Sequence, residues 1–258
     1  PVYNNSTSLW YLSLHLNCTH HIRERLKMQI HGFNKTTLLD YPGHVASTIF
    51  TGFCNFRCPF CQNGDLVLHP ASLPLLSEED ILAHLRKRRG ILTGVCVSGG
   101  EPTLQPDLEP FLYRIKELGY LIKLDTNGYQ PEVLQSLHEK KLLDYIAMDI
   151  KSSPRNYAAV AGLPGLDMGR IRSSVDFIRT CGLAYEFRTT VVRELHSASD
   201  FQRIGCWLQG CDAYFLQSYA ESDGVISPMF TSCTREELEG FRKILLPFIP
   251  NTSLRGVD

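Results

Sequence analysis

From Met28 onward, short runs of apolar and β-branched residues alternate with longer stretches in which apolar residues recur every three or four positions. The short runs, at 45–50, 95–97, 120–124, 145–150, 185–192 and 214–216, have the length and composition of buried strands. The longer stretches predict helices, and several carry legible ends. Ser77-Glu78-Glu79-Asp80 reads as an N-cap with an acidic first turn, Arg86-Lys87-Arg88-Arg89 places cations in the last turn, and Gly90 fits the position beyond it. A helix over 107–118 closes on Gly119 in the same way. Others are predicted over 131–140, 168–180 (closing on Gly182), 199–209 (closing on Gly210) and 234–246, where Thr234 and Glu237 form a capping box. Six strand-then-helix units predict a parallel sheet with right-handed crossovers and helices outside it. Six is short of the eight of a closed barrel, so a partial barrel and a doubly wound sheet both satisfy the pattern. Either way, chemistry belongs at the C-terminal ends of the strands.

Residues 1–27 show neither period, so they read as an N-terminal extension outside the fold, with 28–258 as the working domain. The 26 Lys+Arg against 27 Asp+Glu and the 43% hydrophobic content are those of a globular chain and argue against disorder. This balance lacks the basic footprint of a nucleic-acid binder. No run approaches the roughly 18 to 20 apolar residues of a membrane span, and 10–16 is too short and interrupted for a signal-peptide core. Nine cysteines, an odd number, argue against a disulfide framework. A reducing, cytoplasmic setting is expected, in which the Asn-x-Ser/Thr triplets at Asn4, Asn17, Asn34 and Asn251 are inert.

Directly after the first run comes Cys54-Asn55-Phe56-Arg57-Cys58-Pro59-Phe60-Cys61, a C-x3-C-x2-C triplet on a loop at a strand end. A structural zinc site and a 4Fe-4S cluster held by protein alone each want four ligands, so three cysteines imply an open coordination position. Phe56, Pro59 and Phe60 give the loop an apolar wrapper. The blander readings are a Cys3His zinc knob completed by His44 or His69, or three unrelated buried thiols. Ser98-Gly99-Gly100-Glu101-Pro102-Thr103 follows the second run, with two glycines that allow close backbone approach to a ligand. The third and fourth runs end in Asp125-Thr126-Asn127-Gly128 and Met148-Asp149-Ile150-Lys151. Either could be turn chemistry alone.

The triplet resembles the cluster loop of the radical S-adenosylmethionine (SAM) superfamily, in which SAM itself chelates the fourth iron. That resemblance implies an α/β fold of the partial (β/α)6 TIM-like barrel type, with Cys54, Cys58 and Cys61 as metal ligands and catalytic centre. It further implies that Gly99, Gly100 and Glu101 bind the SAM amino group. The two later motifs are similar to those of glycyl-radical-enzyme activating proteins. There Asp125, Thr126, Met148 and Asp149 would ligate a monovalent cation, and Lys151 would meet the SAM carboxylate. Asn63 matches a position near SAM, although Gln62 replaces the His more often found beside it. Arg188 and Gln217 are candidate pocket residues, with structural hydrogen bonding as the rival role.

The opening Ile30-His31-Gly32-Phe33-Asn34-Lys35-Thr36-Thr37-Leu38-Leu39-Asp40-Tyr41-Pro42-Gly43 resembles the start of the anaerobic ribonucleoside-triphosphate reductase activating proteins, a likeness covering most of 28–220. It implies a glycyl radical enzyme as partner and a flavodoxin- or ferredoxin-type electron donor. No ferredoxin-like insert separates Cys61 from Gly99, so no second cluster is expected. Cys18, Cys96, Cys181, Cys206, Cys211 and Cys233 read as ordinary thiols. Two alternatives remain: a radical SAM enzyme acting on a small molecule, in the manner of 7-carboxy-7-deazaguanine synthase, and a non-catalytic zinc or iron-sulfur binding module.

Overall fold

The computed structural model describes residues 28–257. The expected extension over 1–27, with Cys18 and the triplets at Asn4 and Asn17, lies outside the described residues. One sheet contains β1 (Ile30–Thr37), β2 (Ala46–Thr51), β3 (Gly94–Gly99), β4 (Leu121–Thr126), β5 (Tyr145–Asp149), β6 (Ala184–Val191), β7 (Tyr214–Ser218) and β8 (Thr252–Arg255), side by side in chain order. β1 is antiparallel to β2 and every later pair is parallel. A doubly wound sheet reverses its strand order at a switch point. This order never reverses, and β1 and β8 are the two edges, so the architecture is a partial (β/α) barrel.

Two strands were not legible in the sequence. β1 has no period-two burial, and β8 is four residues long, too short to stand out. The crossovers hold α1 (Gly64–Leu68), α2 (Glu78–Lys87), α3 (Leu108–Glu117), α4 (Pro131–Glu139), α5 (Tyr157–Ala161), α6 (Met168–Thr180), α7 (Ala198–Trp207) and α8 (Arg235–Leu245). Their buried stripes follow helical spacing, as with Leu108, Phe111, Leu112 and Ile115 on α3. The box at Thr234 and Glu237 forms on α8. α7 begins earlier than its pattern suggests, because Ser197 and Asp200 make a second box there. Among the described residues, no helix is long and apolar enough to cross a membrane.

Along β4, Ile122 and Leu124 join the apolar core, whereas Lys123 and Asp125 point to the other face and pair with each other. Glu186 and Arg188 on β6 share that face through an ion-pair network with Asp125 and Asp149. The barrel interior is therefore charged, unlike the packed aliphatic layers of a closed barrel. Glu186 is held by both guanidinium nitrogens of Arg255, at 2.8 and 3.0 Å, and by the Tyr145 hydroxyl at 3.1 Å. β8 thus reaches across β7 to close the lower interior.

Candidate active site

The cysteine loop leaves the C-terminal end of β2 and is pinned by distant parts of the chain. The Glu101 N–H donates to the Phe53 carbonyl (2.8 Å), and the Arg57 N–H donates to the Ala161 carbonyl at the end of α5 (2.9 Å). The segment after β7 contributes Ile226 N–H to the Cys61 carbonyl (3.1 Å) and Ser227 N–H to the Pro59 carbonyl (2.8 Å). Cys54, Cys58 and Cys61 then line one cavity of about 140 Å³, together with Phe56, Phe60 and Val67, which shield it from water. Neither His44 nor His69 lines this cavity. His44 sits before β2, at the opposite end of the strand from the loop, and hydrogen-bonds Thr93 at 3.1 Å.

All three thiols are free. Burial, with the Glu101 carboxylate next, pushes Cys54 up to about 12, and burial pushes Cys58 up to about 11 against the pull of Lys151. Burial also raises Cys61. Among the described residues, no three His, Cys, Asp or Glu side chains converge as they would around a single ion. Zinc thiolates at about 2.3 Å from the metal crowd within about 4 Å of one another. These thiols line that one cavity together. Asn55, next to Cys54 in the chain, has a buried Nδ2 without a partner, while its Oδ1 faces the Cys54 sulfur at 3.8 Å. Three free thiols on one apolar-walled cavity, with no histidine among the described residues to complete a zinc site there, are a donor set that fits a cluster bound at three cysteines. Asn127 adds an amide 3.7 Å from the Cys54 sulfur and 2.7 Å from Asn55 Oδ1.

The two glycines at the end of β3, Gly99 within it and Gly100 after it, are sterically required. A Cβ on Gly100 would lie 1.9 Å from the Phe53 carbonyl oxygen, and Gly99 adopts φ +113 with Thr51 backbone 2.4 Å from where its Cβ would be. Gly100→Ala is expected to cost about 3 kcal/mol through overpacking and to displace the cysteine loop. Gly100 has no positive φ, so the contact with Phe53 and not backbone strain is what the substitution tests; Gly240→Ala, whose Cβ would meet nothing within 4 Å, is the control. Iron uptake in Gly100→Ala equal to that of Gly240→Ala would show that the contact with Phe53 does not decide the loop.

Glu101 is fully buried, and its carboxylate accepts from Thr103 N–H (3.1 Å), Thr103 hydroxyl (2.6 Å), Thr126 hydroxyl (2.8 Å) and Asn127 N–H (2.6 Å). Burial raises its pKa against the pull of those bonds. Its side chain therefore ties the turn after β3 to the end of β4. Asn63 likewise donates to the Gly99 carbonyl (3.0 Å), while Gln62 lines the cavity. Asp125, Thr126, Asp149, Lys151 and Arg188 all reach the cavity. Met148 does not. It alternates to the other face of β5 from Asp149, and its methyl lies 2.1 Å from where a Cβ on Gly128 would be. Gln217 pairs in register with Thr190, which lines the cavity, but stands one strand further round.

Lys151 donates to Asp149 Oδ2 at 2.8 Å. Burial opposes its charge, yet Asp149 and the thiols of Cys58 and Cys61 hold its pKa above the ordinary lysine value. Burial also disfavours charge on Asp149, but Arg188 and Lys151 outweigh it and hold the carboxyl below the usual range. The sequence reading missed Lys123, Ser98 and Thr190 as neighbours of this network. A lysine two residues before Asp125, inside an otherwise apolar parallel strand, was the signal available for the first of them. His196, whose Nε2–H donates to the Lys151 carbonyl at 2.9 Å while its Nδ1 accepts from Val192 N–H, had no local signal.

The sequence pattern of the Radical SAM superfamily matches residues 48–196, from β2 to the loop before α7. A protein of Methanocaldococcus jannaschii described as a putative glycyl-radical enzyme activating enzyme is 28% identical over 90% of this chain and 98% of its own length. A second protein of that organism with the same description is 32% identical over 80% of this chain and 79% of its own. The crystal structure of Streptococcus suis SuiB bound to S-adenosylmethionine matches with a TM-score of 0.63 at 16% identity. That match covers 79% of this chain, which spans about half the SuiB length (48%), and its low identity speaks to the fold alone.

Proposed function

Because the chain belongs to the radical SAM superfamily and is related to glycyl-radical-enzyme activating proteins, we propose that it installs a glycyl radical on a partner enzyme, an anaerobic ribonucleoside-triphosphate reductase. In this reading Cys54, Cys58 and Cys61 hold one 4Fe-4S cluster, which when bound and reduced supplies the electron that splits SAM into methionine and a 5′-deoxyadenosyl radical. The observation that carries the reading is the meeting of three free thiols, the Lys151 side chain and Gly100 on one shielded cavity at the strand ends. The two Methanocaldococcus relatives, matched over most of their lengths, support glycine as the target.

The chain's own groups divide the work. Phe56, Phe60 and Val67 keep water from the thiols. Gly100 lines the cavity and presents backbone there to a ligand amino group, and Lys151 offers a fixed positive charge to a carboxylate. The barrel's open edge between β1 and β8 leaves room for a glycine loop of a protein substrate. Its α-hydrogen is a suitable target, since the radical left behind is stabilised by the adjoining amide nitrogen and carbonyl. A flavodoxin- or ferredoxin-type protein would provide the electron, in a cytoplasmic setting.

Lys151→Ala is expected to weaken SAM binding about tenfold to a hundredfold, the worth of a hydrogen bond to a charged group, while iron content is retained. Unchanged affinity would remove Lys151 from the site. The function itself is tested by anaerobic reconstitution with iron and sulfide, reduction in the presence of SAM, and chromatography for 5′-deoxyadenosine. The reductase is then added and a glycyl radical sought by electron paramagnetic resonance. 5′-Deoxyadenosine without any protein radical on the reductase would move the assignment to another substrate.

A further inference from the structure

We propose that Arg188 is a built-in counter-ion for Asp125 and Asp149, so that this chain binds SAM without the monovalent cation its resemblance implies at those positions. The inference rests on the SAM reading above. The guanidinium bridges two strands: its Nε lies 2.5 Å from Asp149 Oδ1 and its Nη2 lies 3.1 Å from Asp125 Oδ2. Its third nitrogen, Nη1, stands 3.8 Å from Glu186 Oε1. One planar cation thus serves carboxylates on β4, β5 and β6, a task suited to the fixed fork of an arginine.

The oxygens that an alkali ion would need are already engaged. Asp125 Oδ1 pairs with Lys123 Nζ, and Asp125 Oδ2 also accepts from the Ser98 hydroxyl at 3.0 Å. Asp149 Oδ2 accepts from Lys151 at 2.8 Å. The Thr126 hydroxyl donates to Glu101 (2.8 Å) and accepts from Gly128 N–H (3.0 Å). Met148 lies on the other face of its strand, against Gly128. Asp125, Asp149 and Glu186 carry three negative charges, and Lys123, Lys151, Arg188 and Arg255 carry four positive ones in the same network. A further cation here would meet like charge in a site with little water to screen it. The excess positive charge suits an incoming carboxylate instead.

The test compares KCl, NaCl and choline chloride at equal ionic strength. For the reconstituted wild type, the SAM dissociation constant by anaerobic calorimetry is expected to agree within about twofold in all three salts. The melting temperature of the metal-free protein is expected to agree within about 1 °C. Affinity about tenfold weaker in choline chloride, or melting raised by K⁺ or Na⁺ alone, would overturn the inference. If the protein binds SAM in none of the salts, the functional reading fails. The melting comparison then judges the counter-ion by itself. Arg188→Met is expected to melt lower in choline chloride and to regain part of the loss in K⁺ or Na⁺. A folded Arg188→Met that matches the wild type in choline chloride, in melting and in SAM affinity, would also overturn it.

Discussion

Cys58→Ala is expected to lose the cluster and, with it, all 5′-deoxyadenosine formation. Zinc-finger sites gain about 10–16 kcal/mol from four ligands, so one ligand of a comparable site carries about 3 kcal/mol, a factor of more than about a hundred in affinity. Cys58 is also the most enclosed of the three, with its sulfur 3.7 Å from the Ala161 carbonyl. No solvent-borne ligand has an easy path to replace it. The check is iron and acid-labile sulfide per chain after reconstitution, with the charge-transfer absorbance of the cluster. The fold should survive, because the loop is held by backbone hydrogen bonds from Glu101, Ile226 and Ser227 and not by the thiol. A Cys58→Ala protein that keeps a full complement of iron and still cleaves SAM would refute the three-cysteine site. Loss of iron alongside an unfolded circular-dichroism spectrum would instead mean that the thiol itself holds the loop together.

Arg255→Met is expected to destabilise the fold by about 3 to 5 kcal/mol, because it strips the bidentate partner from a carboxylate that is 1% exposed. For a domain of this size, that corresponds to roughly 6 to 20 °C in melting temperature. The effect depends on pH with a definite sign. Burial works to raise the Glu186 pKa, but Arg255, Arg188 and Lys123 outweigh it and the net shift is downward. A carboxyl lowered in the folded state contributes its stabilisation above the unfolded value near 4.3 and loses it as the pH falls through the folded value. The melting gap between wild type and variant should therefore be full at neutral pH and narrow below about pH 4. A gap that stays constant down to pH 3 would assign the loss to the packing of Arg255 on the Phe215 ring, 3.8 Å away, and not to its charge.

Most of the site was legible as local chemistry. The cysteine spacing, the Gly-Gly-Glu-Pro turn and the motifs closing the next two strands are each contiguous in sequence, and the strand-then-helix alternation placed all of them at one end of a parallel sheet. What local sequence could not convey was direction and partnership. Met148 and Asp149 are neighbours in the chain, but a period of two sends them to opposite faces, so the carboxylate reaches the cavity and the thioether does not. Glu101 makes four hydrogen bonds that tie two strand ends together, a partnership its motif does not convey.

By itself, then, the sequence determined the alternation that makes a (β/α) sheet, the helix ends set by Gly119, Gly182 and the Thr234 box, and the loop of three closely spaced cysteines. These follow from steric, capping and coordination rules that act within a few residues. Only the tertiary structure decided which charges face one another inside the barrel. Arg188 finds Asp125 across 63 residues of chain and Arg255 finds Glu186 across 69, separations at which no periodicity carries a signal. The same holds for the short strand β8 and for the segment 224–227 that pins the cysteines. Each exists because a neighbouring edge or loop offers hydrogen bonds that its own sequence does not announce.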